Sequence, residues 1–196
     1  MKLSKSEIQD LLRQFFPNLK ANEIKSFLSI SKYQSAENKE LILYSGKKDK
    51  DLVFILKGVA RAYSISENGE ELNDFIRAQG KIIGDSRVLG DEIPILNIEA
   101  IGEVHYLKFN INKLEALGFE NPEIMKFYLS ILKEMILTFT YRLNTFITMS
   151  PKERYIDLLR WNPILIESSY DKHLASFLGI KPLTIYRIKK KLSNDV

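Results

Sequence analysis

The side chains with the most specific chemistry in this sequence are basic and lie near its end. The stretch HLASFLGIKPLTIYRIKKKL runs from His173 to Leu192 and carries Arg187, followed by lysines at 189, 190 and 191. A guanidinium can bond two acceptors of guanine at once, whereas ammonium groups bind phosphates and add salt-dependent affinity without sequence information. The stretch is therefore either a surface that reads DNA or a packed tail with a solvated basic end.

The spacing of small and apolar residues favours a DNA-reading helix pair. If one helix begins at Asp171, Ala175 is its fifth residue, where crossing helices need a small side chain. Gly179 is then the ninth, in the turn, where a left-handed backbone is usual. The apolar residues at the positions that a helix-turn-helix buries are Leu174, Leu178, Ile180, Ile185 and Ile188. A generic helical hairpin needs neither the Ala–Gly spacing nor this apolar set.

The second helix of the pair, from Lys181 or Pro182 to Leu192, presents the candidate DNA-binding residues. They are Lys181, Leu183, Thr184, Tyr186, Arg187, Lys189, Lys190 and Lys191. A recognition helix turns its N-terminal part toward base edges in the major groove. We expect readout of bases to depend mainly on Arg187, with help from Thr184, Tyr186 and contact between Leu183 and a thymine methyl. The three lysines are better placed for phosphates.

The charge distribution separates the last quarter of the chain from the rest. The segment from Ser150 to the end holds nine basic and five acidic residues, whereas the preceding 149 residues hold twenty of each. The whole net charge of +4 therefore belongs to this segment. A basic module on a neutral body favours an anionic partner such as nucleic acid, although a solvated charged tail has the same composition.

The remaining reactive residues do not indicate an enzyme. There is no cysteine, and the two histidines, His105 and His173, are far apart and more typical of structural or solvated positions. No glycine-rich phosphate loop or metal-spaced cluster is present, so we expect neither a metal nor another cofactor. The charged start and the lack of an apolar run of about 18 residues predict a soluble cytoplasmic protein.

The elements that must position the basic helix pair are indicated by caps and glycines. Ser4-x-x-Glu7 is a capping box that begins a helix. From about Tyr33, short apolar stretches alternate with glycines at 46, 58, 69 and 80, with further strands at Ile98–Ile101 and Val104–Phe109. This pattern predicts a β-sandwich or barrel. Asn121-Pro122 then opens a long helix, and a second capping box, Ser150-Pro-Lys-Glu153, marks a hinge.

The long helix carries an apolar seam that is typical of a coiled coil. The predicted dimer-interface residues are Ile124, Tyr128, Ile131, Met135, Phe139 and Leu143. Steps of three and four along a helix place these side chains on one face, where a second copy can pack against them. The alternative is a helix that packs wholly on its own domain.

In this order of elements the chain resembles the Crp/Fnr family of bacterial transcription regulators. The most specific segments are LVFILKGVARAY (52–63), Pro-x-Glu-Arg-Tyr (151–155) and the helix pair. The resemblance implies an α+β fold: a β-roll sensor domain with N-terminal helices over 1–120, related to the double-stranded jelly roll of cyclic-nucleotide-binding domains, a dimerisation helix over 121–149, and a helix-turn-helix DNA-binding domain over 150–196. That last domain is expected to be winged-helix-like with a truncated wing. The implied partners are double-stranded DNA with a pseudo-palindromic operator, a second copy of the chain, and RNA polymerase.

The sequence departs from this family where a cyclic nucleotide would bind. Gly84-Asp85 stands in place of a Gly-Glu pair, and residues 94–99, Pro-Ile-Leu-Asn-Ile-Glu, lack the arginine that neutralises the cyclic phosphate. Burying a phosphate without a cation is costly. We therefore expect an effector other than cyclic AMP. The candidate pocket residues are Gly84, Asp85, Arg87, Leu96 and Asn97.

The reading helix also departs from the family pattern. Lys181 stands at the cap, Leu183 replaces an acidic base reader, and Tyr186 replaces a small residue. The operator sequence of relatives therefore does not transfer to this chain. The same substitutions support an alternative function, that of a ligand-binding sensor or protein-interaction dimer that has lost specific DNA reading.

Overall fold

A computed structural model describes residues 2–90 and 92–194. Its helices are α1 (Lys5–Phe15), α2 (Ala21–Ser29), α3 (Ile111–Glu120), α4 (Pro122–Thr148), α5 (Pro151–Trp161), α6 (Pro163–Ser168), α7 (Asp171–Leu178) and α8 (Pro182–Asn194). Its strands are β1 (Ser31–Ala36), β2 (Leu41–Leu43), β3 (Asp51–Ile65), β4 (Glu71–Ala78), β5 (Ile82–Ile83) and β6 (Asn97–Asn110). A short 3-10 helix covers Ser86–Leu89. Helices thus flank a block of strands, which is the predicted α+β arrangement.

The strands form one antiparallel sheet with β6 and β3 at its centre. The order is β1-β6-β3-β4, and β2 also pairs with β6 while β5 pairs with β3. Along β3, Leu52, Phe54 and Leu56 belong to one buried cluster and Val53 and Ile55 to another. Because successive side chains of a strand point to opposite faces, the sheet is covered on both sides, as a β-roll requires.

Two strands are longer than the sequence predicts. The pattern predicts one strand ending before Gly58 and another after it, but β3 continues through this residue. Its register with β6 shifts on either side of Lys57, and Gly58 has a φ of 95°. A glycine with positive φ at such a register shift forms a bulge, which bends a strand without ending it. β6 likewise continues through Gly102, so its two predicted halves are one strand.

The N-terminal helices and α4 cover one side of the sheet. The capping box of α1 is confirmed, since Ser4 N donates to Glu7 Oε2 at 2.7 Å and Glu7 N donates to Ser4 Oγ at 3.2 Å. Phe27 of α2 is fully buried and packs edge-on against Phe109 and Phe127, with ring centroids 5.1 and 5.3 Å away. Aromatic contacts of this kind join α2, α4 and β6 into one core.

The first half of α4 belongs to this core, which corrects part of the predicted dimer seam. Ile124 is 0% exposed and Ile131 3% exposed. Tyr128 and Met135 are partly buried and pack against the same cluster. The coiled-coil spacing identifies an apolar face correctly, but in this half of α4 the face lies on the chain's own sheet and on α3. Ile124 and Ile131 are therefore not free to contact a second copy.

From Leu129 onward, α4 also leaves large apolar side chains in solvent. Those more than 40% exposed between positions 129 and 147 are Leu129, Ile136, Leu137, Phe139, Tyr141, Leu143 and Ile147. Of the predicted seam, Phe139 and Leu143 are in this set. Leu129, Ile136 and Leu143 are seven residues apart and share a face with Ile147. We call these four residues the α4 apolar face.

Helices α5–α8 pack on the outer edge of the sheet. The predicted capping box is present, with Ser150 N donating to Glu153 Oε2 at 2.7 Å and Pro151 as the first helical residue. Residues from the sheet (Val59, Ile76, Ala78 and Ile101) and from these helices (Tyr155, Leu165, Leu174, Ala175, Leu178, Ile185 and Ile188) form one buried cluster. We call this contact the junction. The sequence predicts the helices but not their contact with the sheet.

Candidate nucleic-acid interface

The two C-terminal helices are joined by a tight turn at Gly179. This glycine has a φ of 64°, and its N–H donates to Ser176 O at 3.1 Å while Ile180 N donates to Ala175 O at 2.9 Å. These two bonds are those of a Schellman motif, which ends a helix on a left-handed residue. Phe146 of α4 covers the turn, and a Cβ on Gly179 would lie 2.6 Å from its ring. Glycine is therefore required here for both backbone conformation and space.

The predicted buried set of the helix pair is confirmed. Leu174 and Ile185 are 0% exposed, Ala175 is 1% exposed, and Ile180 is partly buried. Leu178 and Ile188 are also buried. Ala175 thus lies where the two helices cross, as its spacing from Gly179 predicts.

The outward face of α8 is open to solvent over most of its predicted DNA-binding residues. Leu183 is 57% exposed and Tyr186 59% exposed. Lys181, Arg187, Lys190 and Lys191 are exposed as well, whereas Thr184 is half-buried. Within the described part of the chain, the side chains of Arg187, Lys190 and Lys191 make no hydrogen bond or ion pair. This face therefore combines free cations with two apolar side chains.

Lys189 differs from its neighbours because it binds within the helix pair. Its Nζ lies 2.5 Å from Asp171 Oδ1, at the start of α7. The sequence places all three consecutive lysines on phosphates, but a helix turns by about 100° per residue and carries Lys189 toward α7. Its ammonium stabilises the contact between the two helices instead.

On its other side, α7 binds the edge of β4. Ser176 Oγ accepts a hydrogen bond from Asn73 N at 2.8 Å and donates one to Glu71 O at 3.2 Å. An edge strand has unpaired backbone groups, and this serine satisfies one N–H and one C=O of β4. The side chain of Asn38 also donates to Tyr170 Oη at 3.3 Å. Polar bonds therefore hold the helix pair against the sheet.

Two arginines complete this attachment: Arg154, which lies in the Pro-x-Glu-Arg-Tyr segment, and Arg142, which the sequence did not single out. Arg142 of α4 donates to the carbonyl oxygens of Asp74, Asn73 and Phe177, the last at 3.0 Å. Arg154 of α5 donates to Leu178 O at 3.1 Å and Met149 O at 2.8 Å. Burial lowers the pKa of Arg142 to about 10, although Asp74 opposes the shift. The sequence did contain a signal for Arg142: a guanidinium with five donors in a mostly apolar helix needs several acceptors from the rest of the fold.

A buried cluster of charges lies beside the helix pair. Arg61 of β3 donates to Glu99 Oε1 at 2.9 Å, and its Nη1 lies 2.8 Å from Glu71 Oε2. Its guanidinium stacks over Tyr63, 4.0 Å from the ring centroid. Burial alone lowers the pKa of Arg61, but the bonds to Glu99 and Glu71 outweigh burial and leave the pKa above its ordinary value.

His173 lies next to this cluster and is almost completely buried, with 3% of its surface exposed. Burial, followed by the positive charges of Arg61 and Lys172, lowers its pKa to about 4. The imidazole is therefore neutral near pH 7. His105 bonds to Tyr33 Oη at 2.9 Å and to Glu103 at 3.2 Å. Both histidines have structural contacts.

The predicted effector residues are mostly bound to their own backbone. Asp85 is buried and its carboxylate accepts from Arg87 N, Ile95 N and Leu96 N at 2.9, 2.7 and 3.0 Å. Gly84 packs against Leu52. Asn97 accepts from Ser45 N at 3.0 Å. The structure brings these residues together, and the Asp85 carboxylate orders the loop at 94–97 through these bonds.

Arg87 does not supply the missing cation of this region. Its guanidinium is largely exposed and pairs with Glu92 at 2.8 Å. A cavity of about 380 Å³ adjoins Asp85 and Leu96 and is closed by Phe139 and Arg142 of α4. Arg142 is the other cation there, and it is already bonded to backbone carbonyls.

Two further findings concern the described residues as a whole. They contain no group of three or more His, Asp or Glu side chains arranged to hold a metal ion. Their helices include none with the length and apolar character needed to cross a bilayer.

Comparison with solved structures identifies the fold. CLP, a c-di-GMP-responsive global regulator that links cell–cell signalling to virulence gene expression in Xanthomonas campestris, is 16% identical with a TM-score of 0.68, covering 90% of this chain and 93% of that one. FixK2 from Bradyrhizobium japonicum is 13% identical with a TM-score of 0.71, covering 85% and 86%. The catabolite activator protein of Thermus thermophilus is 17% identical with a TM-score of 0.55, covering 92% and 87%.

These similarities extend over nearly the whole chain in each case. No protein-family model and no curated protein sequence matches this one. Identities below 20% establish the fold and not the activity, and the predicted fold, that of the Crp/Fnr regulators, is confirmed.

Proposed function

We propose, from a fold shared with the Crp/Fnr regulators, that this protein is a sequence-specific DNA-binding transcription regulator that acts as a homodimer. The observation that carries the proposal is the free outer face of α8. Arg187, Lys190 and Lys191 are exposed there and make no hydrogen bond or ion pair to any residue that the structure describes, on a helix that the Gly179 turn and a buried apolar set hold in place. Basic side chains on such a helix fit the major groove and its phosphates.

The proposed dimer contact is the α4 apolar face, shifted from the predicted seam. Leu143 belongs to both, while Leu129, Ile136 and Ile147 replace the residues that pack on the sheet. Four large side chains on one exposed face are unusual in a monomer. Two copies of α8 related by the two-fold axis of such a dimer would suit a pseudo-palindromic operator, whose half-sites are related by the same symmetry.

We further propose that any effector is not bound as cyclic AMP is in relatives. The carboxylate of Asp85 is occupied by three amides of its own loop, and Arg87 pairs with Glu92. Residues 94–99 offer no cation for a phosphate. Titration calorimetry should detect no micromolar binding of cyclic AMP, and a micromolar dissociation constant would contradict this proposal.

The decisive experiment is selection of bound duplexes from a random DNA pool, followed by affinity measurements on the selected site and on unrelated DNA. Arg187→Ala should weaken binding to the selected site by about 1–3 kcal/mol and blur one base position, because a bidentate contact is lost. Lys190→Ala should weaken binding to both duplexes alike. It should also reduce the slope of log affinity against log salt concentration by about one, because one fewer phosphate is neutralised. Lys25→Ala, an exposed lysine on α2, is the matched control and should change neither.

Two outcomes would contradict the proposal. If Arg187→Ala lowers affinity equally for selected and unrelated DNA, Arg187 does not read bases. If no sequence is enriched, the alternative of a sensor or interaction dimer without DNA reading is favoured.

The dimer is tested separately by sedimentation. Ile136→Glu should convert dimers to monomers, because a charge on the α4 apolar face cannot be buried at low cost. Ser130→Glu, an exposed change elsewhere on the same helix, should leave the dimer intact. Equal effects of both variants would argue against this face.

A further inference from the structure

A second cavity, of about 470 Å³, lies where the sheet, α4, α5, α6 and α7 meet. It is separate from the predicted effector loop, since neither Asp85 nor residues 94–97 line it. Its walls are mainly apolar and rich in rings, with Phe75, Phe146, Trp161 and Phe177 among them. Its size lies within the range of about 300–1,000 Å³ that is typical of small-molecule sites.

Most polar groups in the wall of this cavity are already bound. Arg142 and Arg154 donate to backbone carbonyls. Tyr141 donates to the carboxylate of Asp157, and Thr145 donates to the carbonyl of Arg142 at 2.8 Å. None of these groups needs a ligand.

Arg77 is different from the other charged groups of this wall. It is half-buried on β4, and within the described part of the chain its guanidinium makes no hydrogen bond and no ion pair. The anion that acts on it most, Glu134, is bound to Lys81 at 3.0 Å. Its guanidinium carbon lies 5.2 Å from the ring centroid of Phe75. Burial lowers the pKa of Arg77, which indicates that the charge lacks full compensation.

A half-buried guanidinium without an acceptor is costly unless something bonds to it. Its planar fork fits a carboxylate, which can accept two parallel hydrogen bonds. A phosphate dianion fits less well, because among the described residues of this mostly apolar wall Arg77 is the one cation without a hydrogen bond or ion pair. The rings around the cavity favour a flat apolar body attached to that carboxylate.

We infer that this cavity binds a small aromatic monocarboxylate, with the carboxylate on Arg77 and the ring between Phe75, Phe177 and Trp161. This site is independent of the proposed DNA contacts, since no residue of α8 lines it. Its walls come from the sheet and from three of the helices at the junction, so an occupant touches both parts of the chain.

The chain contains its own reporter for this site. Trp161 is the sole tryptophan in the sequence and lines the cavity. The probe is phenylpropanoate, with phenylpropanamide as the neutral molecule of similar shape. Titration of the full chain, without DNA, should change Trp161 fluorescence saturably, with the acid binding about tenfold more tightly than the amide because of the charge-assisted bonds.

The variants test whether Arg77 is responsible. Arg77→Gln should reduce the affinity for the acid to that for the amide. Lys133→Gln, which removes an exposed cation of α4 that lies outside this cavity, should leave the affinity within about twofold. The comparison of acid and amide uses the unaltered protein, so it remains decisive if Arg77→Gln does not fold.

Three results would overturn the inference. These are the absence of any saturable change, equal affinities for the acid and the amide, and equal losses in Arg77→Gln and Lys133→Gln. Because no DNA is present, failure here leaves the proposed regulator function untouched, and failure of DNA selection leaves this site untouched.

Discussion

The basic side chains at the junction and those on α8 are of the same kinds but have opposite surroundings. Arg61, Arg142 and Arg154 each donate to two or more acceptors on other elements. Arg187 and Lys190 are exposed, and neither has a hydrogen bond or ion pair among residues 2–90 and 92–194. A cation is therefore a structural group where the fold brings acceptors to it, and a candidate ligand-binding group where it does not. Substitution of the bonded arginines should therefore lower the free energy of unfolding much more than substitution of the exposed cations on α8.

The largest effect is expected for Arg61→Met. This change leaves Glu99, which is 8% exposed, without its counter-ion. Breaking a buried pair in this way costs about 3–5 kcal/mol. Urea unfolding at fixed protein concentration measures the loss. Arg13→Met, at an exposed pair with Asp10, should cost less than about 0.5 kcal/mol, and a similar loss in both would remove the contrast.

Arg142→Gln should have the next largest effect, about 3 kcal/mol, because three carbonyls lose a charged donor. The helix pair should also loosen from the sheet, since one of those carbonyls belongs to Phe177. Hydrogen exchange of the Asn73 amide, which bonds Ser176, reports this loosening. Lys133→Gln, exposed on the same helix, is the control. Unchanged exchange at Asn73 in Arg142→Gln would show that Arg142 does not hold the junction.

His173 should make the junction sensitive to acid. Its pKa is about 4 in the fold against an ordinary value of about 6.5. The folded state thus favours the neutral ring, so this stability is complete above about pH 6.5 and is lost as pH falls toward about 4. The loss should be about 3 kcal/mol, measured by urea unfolding across that range. In His173→Gln the dependence should flatten, and an unaltered slope would exclude His173 as its cause.

The smallest effect is expected on α8. Arg187→Ala and Lys190→Ala should change the free energy of unfolding by less than about 0.5 kcal/mol, because neither side chain has a partner to lose. Both variants should still weaken DNA binding. A destabilisation of more than about 2 kcal/mol would show that these residues support the fold and would erase the difference between the two regions.

Local sequence patterns predicted the helix pair and the caps well. Ala175 and Gly179 lie at the crossing and in the turn, and both capping boxes are present. Such features depend on neighbours within about four residues, which the sequence displays directly. The α3 helix escaped prediction, because its ten residues follow β6 with only the Asn110 cap as a signal.

Other predictions were wrong because the sequence displays an apolar face without its partner. The spacing along α4 identified an apolar face correctly, but Ile124 and Ile131, predicted to contact a second copy, pack on the chain's own core. The three lysines were treated alike, yet Lys189 reaches Asp171. The glycines at 58 and 102 were taken to end strands, but they bend continuous ones.

The sequence by itself determined the order of elements, the helix pair and the concentration of positive charge in the last quarter. The tertiary structure decided which cations are free. Arg142 is bonded because the fold brings to it carbonyl oxygens that lie 35 to 69 residues away in the chain. Among the residues that the structure describes, the fold brings no such acceptor to Arg77. Long-range contacts of this kind are set by how elements pack, and packing is not visible in local period or spacing.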